Sequence, residues 1–525
     1  MTSRRLHVRL AVPACLAVLL TGGLTAGLSG ASAAPGDPSG TAAKTAASRT
    51  EARAALADAQ AVLGGDAAPA TDATMTLLRL WQLRGELSGA DRAAADRLLA
   101  RPDDETPGQA WESACTADNC YHWATLGADA VATGDLDGDG VPDYVQTVME
   151  VVDGVRDTYV GAGYRAPKTD AGEGGSTKTD IYLADVGTDS LYGYCTSDAP
   201  DPSGSGPWDA WAYCVLDNDY DQDQFPTNTP LENLQVTAAH EYFHAVQFAY
   251  DAFEDAWLME ATATWAEDEL YDDVDDNLQY LAESPLKKPG QPLDTFNEAG
   301  AQYGTWIFFR FLTELSPEAA GGLPTLVRDV WNRADGAAGG PDDYSVQALS
   351  HVLGARGSSL PSTFALFATA NRAPALWYDE GASYPSTGPG GTLKLSTSRR
   401  DSSWVGATLR HLSSVTARFV PGVGLRSSAW KLKVTLDLPD AATDPAAVIT
   451  VYRRSGSPQV SVVPLSSSGA ATRKVAFGSS GVRYVEVTMA NAGTRYDCWT
   501  SGAYSCQGSS LDDGRKVRVR GQAVK

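Results

Sequence analysis

The sequence predicts an α+β protein in two parts: a mixed sheet with consecutive helices and a helical subdomain, then a C-terminal all-β sandwich. Three observations lead there. Residues 236–251 carry apolar side chains all along a helical stretch built around a histidine pair. Between about 108 and 230, short apolar runs such as "KTDIYLADV" alternate with helical stretches and Gly-rich loops. Beyond about 390, "SAWKLKVTLDL", "AAVITVYRR", "VRYVEVTMA" and "GRKVRVRG" alternate apolar and polar residues between turns, the pattern of strands with one buried face.

Taken in order, residues 1–33 read as a signal peptide. A basic start, an apolar run and an A-x-A site at Ala31-Ser32-Ala33 follow one another, and Pro13, Gly22 and Gly23 interrupt the apolar core too often for a membrane anchor. Arg4-Arg5 leaves the export route open between the general and twin-arginine pathways. Residues 34–72, rich in Ala, Gly and Thr, read as linker or pro-segment, and the chain before about Pro107 is expected to be removed or displaced on maturation. Residues 73–107 have helical period with a break at Ser88-Gly89, a helical hairpin.

The next domain is expected to span 108–390. Near its start, "DLDGDGVPDYV" puts Asp135, Asp137, Asp139 and Asp143 at positions one, three, five and nine of a calcium-type loop, with Gly140 at the sharp turn. Position twelve is Gln146, not a bidentate glutamate, so the loop reads equally as an Asx-rich turn before the helix "YVQTVMEVVDGVRDTYV". Asp217, Asp219, Asp221 and Asp223 form a weaker acidic candidate after the strand "WAYCVL".

The chain has six histidines, and two of them, His240 and His244, stand four apart with Glu241 between. On a helix they share one face, about one turn apart. Two neutral imidazoles so placed suit zinc, and the adjacent carboxylate can take a proton from a water on the metal. Ala238, Ala239, Phe243, Val246 and Phe248 surround them, so the helix reads as buried, where histidines need partners. Gln247 and Tyr250 stand where the metzincin pattern requires Gly and His, so a third ligand must come from elsewhere. "AWLMEATATWAEDELY" offers Glu260 and Glu267, about 10 Å apart on one face, too far for one ion to hold both. Ala261 and Ala263 would let Glu260's helix approach closely, which favours Glu260; Glu267 is then left for a backbone group or an arginine.

"TAAHEYFHAVQFAYD" followed by "WLMEATATWAED" resembles a family of secreted bacterial zinc metalloproteases of the gluzincin type. That family shows an "AHE-aromatic-F-H-x-x-Q" helix and a "W-x-x-E-G-x-A-x-W" helix. The resemblance extends to "DLDGDGVPDYVQ", "VLDNDY" and "QYGTWIFFRFL", over about residues 75–395. It implies a zincin-like domain, His240, His244 and Glu260 as zinc ligands, and Glu241 as general base. Two positions depart from the pattern. Ala261 replaces the usual glycine, and Thr264 stands where thermolysin-like relatives keep the aspartate that orients a histidine. In gluzincins the developing oxyanion often meets a tyrosine or histidine from the following helices; Tyr303 in "AQYGTWIFF" is the candidate here, a packing tyrosine the competing reading.

Cysteines and charge agree with export. Without Cys15 of the signal, six cysteines remain, and proximity pairs Cys115 with Cys120, Cys195 with Cys214, and Cys498 with Cys506. Net charge is −24, or −27 without the three arginines of the signal, which disfavours nucleic acid and anionic membranes as partners. The sequence therefore predicts a secreted, extracellular zinc metallopeptidase, an endopeptidase, acting on protein or peptide substrates, with no stable membrane anchor and with calcium as a second cation only on the calcium-loop reading of Asp135–Asp143. The alternative is a non-catalytic secreted binding protein with a structural zinc and a ligand-binding sandwich at 391–525.

Overall fold

The computed structural model describes residues 49–65, 73–105 and 110–525, with the backbone alone at 104 and 105. The expected signal peptide and residues 34–48 and 66–72 of the expected linker lie outside the described residues.

Within that expected linker, helix α1 (Arg49–Val62) forms instead. Ala52, Ala55, Leu56, Ala59 and Val62 recur at helical spacing and are buried, so a composition that reads as low-complexity is in fact an amphipathic helix. It lies against α2 (Ala73–Leu83), whose residues are almost all buried. Gly89, with φ +61°, turns the chain into α3 (Ala90–Leu98), close to the expected break. A last short helix, α4 (Pro102–Glu105), follows. Between them, Arg101 is buried among Asp170, Asp180 and Asp198 and ties the hairpin to the sheet behind it.

That sheet has five strands, β1 (Trp111–Cys115), β2 (Asn119–Ala124), β3 (Thr179–Ala184), β4 (Gly193–Thr196) and β5 (Tyr213–Asp217). Their spatial order is β1-β2-β3-β5-β4. β2, β3 and β5 are parallel, and β1 and β4 join antiparallel at the two edges. Helix α5 (Asp143–Gly161) makes the crossover from β2 to β3. Two long helices follow the sheet, α6 (Pro230–Asp251) and α7 (Ala256–Leu270). α6 lies against α5, β4 and β5 on one side and against α7 on the other. The helical subdomain is α8 (Ala301–Gly304), α9 (Trp306–Leu315), α10 (Thr325–Arg333), α11 (Ser345–Ala355) and α12 (Leu360–Ala370).

Beyond Gly391 the chain is β-rich. Strands Gln459–Val462, Pro445–Arg453, Val482–Asn491, Ser413–Pro421 and Gly391–Leu395 lie side by side in that order, and Ala470–Ala476, Lys431–Asp437, Arg515–Val524 and Val405–Leu409 form a second sheet. Leu432, Val434, Val517 and Val519 of one sheet share a core with Phe419, Ile449, Val485 and Val487 of the other. The whole is a mixed α+β protein with separate sheets. Lys431–Asp437 alternates as expected, one face inward. Pro445–Arg453 does not, being buried along eight of its nine residues. Its outer face, which includes Val448, packs on α12 and joins the core of the first part, so this strand is covered on both faces.

Candidate metal centre

α6 starts at a capping box. The Thr229 hydroxyl accepts from the Glu232 backbone N–H, the Glu232 carboxylate accepts from the Thr229 N–H, and Pro230 occupies the first helical position. From this fixed start the helix runs inward, and His240 and His244 lie one turn apart with ring centres 4.7 Å from each other. A four-residue turn then leads into α7, which presents Glu260, fully buried, to the same point. Ala261 and Ala263 are fully buried beside it.

The three donors converge. His240 Nε2 is 3.2 Å from Glu260 Oε2, and His244 Nε2 is 3.2 Å from Glu260 Oε1. Zinc bonds of about 2.0 Å in a tetrahedron put neighbouring donors about 3.3 Å apart. The opposite sides of both rings are held. His240 Nδ1 lies 2.5 Å from Glu267 Oε1. His244 Nδ1 lies 2.7 Å from the amide oxygen of Gln247, whose NH2 donates to the Met259 carbonyl and the Thr262 hydroxyl. Since an amide oxygen only accepts, His244 carries a proton on Nδ1 and presents Nε2 to Glu260. His244 Nε2 and both Glu260 oxygens are buried without a hydrogen bond. Buried polar atoms that converge without a hydrogen bond call for a proton or a metal cation between them, and two imidazoles with a carboxylate are a donor set that fits a zinc ion.

Electrostatics point the same way. Burial pushes the Glu260 carboxyl up, but the His244 and His240 rings outweigh it and hold the group well below the usual carboxylate range. Burial alone would lower the His240 pKa; contact with Glu260 and Glu267 instead raises it well above the ordinary value. Burial pushes the Glu267 carboxyl up to about 7, against the pull of His240. Two buried carboxylates here demand positive charge.

Glu241, also buried, is not one of the converging donors but lines a cavity of about 290 Å³ together with His240, Tyr192, Tyr280 and Tyr303. The Thr74 hydroxyl donates to Glu241 Oε2 over 2.9 Å. Tyr303, on α8, stacks on Tyr280 with ring centres 4.9 Å apart, and its ring lies 6.2 Å from that of His240. His240, Glu241, His244, Glu260 and Tyr303 thus meet in one place. Glu267 has a different role from the one expected: it holds His240 and not a backbone group or an arginine. With Gln247 it supplies the outer support that Thr264 cannot. Gln247 was open to discovery, three residues after His244 on the same helix; Thr74, 167 residues from Glu241, left no signal.

The acidic loop is built otherwise. Carboxylate oxygens of Asp135, Asp137 and Asp139 come within 4.8 Å of one another and are exposed. Asp135 accepts from the N–H groups of Gly138 and Gly140, Asp137 from that of Asp139, and Asp139 from that of Val141. Asp143 opens α5 and accepts from the Leu136 N–H. Gln146 donates to Asp137. Asp217, the last residue of β5, accepts from Gly187 and Tyr220 backbone N–H groups, and burial pushes its carboxyl up to about 6.

The cysteines are joined as Cys115–Cys120, Cys195–Cys214 and Cys498–Cys506. The first two link directly opposed residues of antiparallel strands. The third closes a loop that returns to α7. The Cys506 and Gln507 backbone N–H groups and the Ser345 hydroxyl donate to Asp255, the N-cap residue of α7. Beside it, Asp294 accepts from the Ser505 hydroxyl and the Tyr496 hydroxyl and faces His411.

No family model matches the chain, and no curated protein does. Among solved structures, a family GH115 4-O-methyl-α-glucuronidase with specificity for decorated arabinogalactans aligns over 58% of this chain at 10% identity, with a TM-score of 0.14. The chain spans 43% of that structure's length. So loose a superposition bears on neither fold nor activity. No described helix is long and apolar enough to cross a membrane.

Proposed function

We propose that the protein is a secreted zinc metallopeptidase: a zincin-like domain followed by a β-sandwich, hydrolysing peptide bonds in protein or peptide substrates. The observation that carries this reading is the meeting of His240 Nε2, His244 Nε2 and the Glu260 carboxylate at one buried point beside a carboxylate that is not a ligand. Three protein donors leave a zinc ion one open position, the mark of a catalytic site and not a structural one. Zinc bound there supplies Lewis acidity, polarising a carbonyl and acidifying a water.

The remaining roles belong to the chain's own groups. Glu241 takes the proton from the attacking water and returns it to the leaving amine. Glu267 and Gln247 fix the two imidazoles so that only Nε2 is offered. The Tyr303 hydroxyl donates to the oxygen on which charge develops. Three disulfides suit an oxidising compartment and support export.

The test is metal content and cleavage of an unfolded protein substrate by the purified chain. The expected result is one zinc per chain and cleavage that a chelator stops and zinc restores. Retained zinc with no cleavage of any peptide would favour the binding-protein alternative.

A further inference from the structure

We propose that Thr74, on the N-terminal hairpin, is the positioning residue for Glu241, so that the hairpin is a fixed part of the working site and is not shed. This rests on the metallopeptidase reading. Thr74 is buried, 3% exposed, at the start of α2. Its hydroxyl oxygen accepts from the Cys195 backbone N–H over 2.9 Å and donates to Glu241 Oε2 over 2.9 Å. A hydroxyl has one proton, and with Cys195 donating into a lone pair that proton goes to the carboxylate. One Glu241 oxygen is thereby held, and Oε1 is left for proton transfer.

The other half of the bridge has its own purpose. β4 is an edge strand, and Cys195 lies in it with its N–H turned away from β5. An edge N–H is a template for a further strand, and Thr74 fills it. An extended peptide pairing with β4 must therefore stop short of Cys195; the Leu191 N–H already donates to Val186 and the Tyr192 carbonyl already accepts from Asp217, which leaves Gly193, in the cavity lining, as the residue open to pairing.

Shedding the hairpin would undo much more than this bridge. Leu77 and Leu80 are fully buried, the Trp81 Nε1–H donates to the Ala199 carbonyl, and Arg84 binds Asp201. The geometry thus disagrees with the maturation that the sequence suggests for the residues before Pro107.

The experiment compares the full chain with Thr74→Val, which keeps shape and loses the hydroxyl, and with Thr74→Ser, which keeps the hydroxyl. Zinc content is expected to be equal in all three. Thr74→Val should lower kcat by about 10- to 100-fold with KM within about 2-fold, as misplacement of a reacting group does, and Thr74→Ser should restore most of it. Two measurements do not depend on turnover. Hydrogen exchange at the Cys195 amide and carbodiimide labelling of Glu241 should both quicken in Thr74→Val and not in Thr74→Ser. Wild-type kcat in Thr74→Val, or an undiminished active form that begins after Pro107, would overturn the proposal. A wild-type chain that cleaves nothing overturns the peptidase reading instead. The exchange and labelling rates then still decide whether Thr74 holds Glu241, and equal rates in all three proteins would refute it.

Discussion

The His240–His244–Glu260 cluster and the Asp135–Asp137–Asp139 cluster both gather three metal-binding side chains within 4.8 Å, yet they are opposite constructions. In the first, His244 and Glu260 are buried and His240 half-buried, both rings are aimed by groups behind them, and His244 Nε2 and both Glu260 oxygens are left without hydrogen bonds. In the second, they are exposed and already accept from their own loop. Proximity of acidic groups is common to both. What separates them is whether the protein has committed support to donors that it then leaves unsatisfied. A third cluster completes the contrast: Asp294 is buried like Glu260 but surrounded by donors, so it needs no ion.

The contrast can be broken most sharply at the ligands. His240→Ala, His244→Ala and Glu260→Ala should each abolish zinc retention at neutral pH, read by metal analysis after dialysis, because three donors are the minimum for a tight site. A chain that keeps one zinc after Glu260→Ala but not after Glu267→Ala would reverse the assignment of ligand and support. Next, Glu241→Gln should keep its zinc and lose nearly all turnover, since it removes a base and no ligand. Continued cleavage by that variant would sink the peptidase reading. Tyr303→Phe should lower kcat by about 10²-fold with little change in KM, and a normal kcat would return Tyr303 to packing against Tyr280.

The partnered cluster predicts a stability effect of its own. His411→Ala leaves Asp294 buried without its ring partner and should cost about 3–5 kcal/mol in denaturant melts. Burial lowers the His411 pKa, but Asp294 and Asp513 outweigh it and raise the value above normal. A raised folded pKa means a contribution complete below the unfolded value near 6.5 and lost as pH rises through the folded one. The gap between wild type and His411→Ala should therefore narrow as the solution is made alkaline; a gap that widens would contradict the ion pair. The smallest effect belongs to the exposed loop. Hydrogen bonds from Gly140 and Gly138 hold the Asp135 carboxyl below its usual range, but full exposure screens any gain. Asp137→Asn should leave zinc content and turnover unchanged, and calcium that raises the melting temperature of wild type but not of Asp137→Asn would give the loop an ion after all.

Periodicity made the α6 and α7 helices, the hairpin break at Gly89 and the strand Lys431–Asp437 legible, because each has one environment along its length. It failed at α1, where alanine supplies the buried stripe and composition alone reads as linker. It failed at Pro445–Arg453, where a second covering layer removes the alternation that a half-buried strand would show. At the site, spacing within one helix revealed His240, Glu241 and His244. Glu260 required a choice, since α7 offers two carboxylates on one face and only packing decides which meets the histidines. Thr74 was out of reach of any local pattern, as were the contacts made by Cys506 and Ser505.

Those last contacts carry a consequence for the order of events in the life of the chain. Asp255, at the head of the helix that carries Glu260, receives its N–H donors from residues about 250 positions later. A ribosome that has finished α7 has not yet made them. The ligand helix gains its full anchorage only when the last twentieth of the chain has been synthesised and Cys498 has met Cys506. The head of this helix is therefore complete only after the C-terminal segment has folded back onto it, so the His240–His244–Glu260 cluster is among the last parts of the molecule to be fixed.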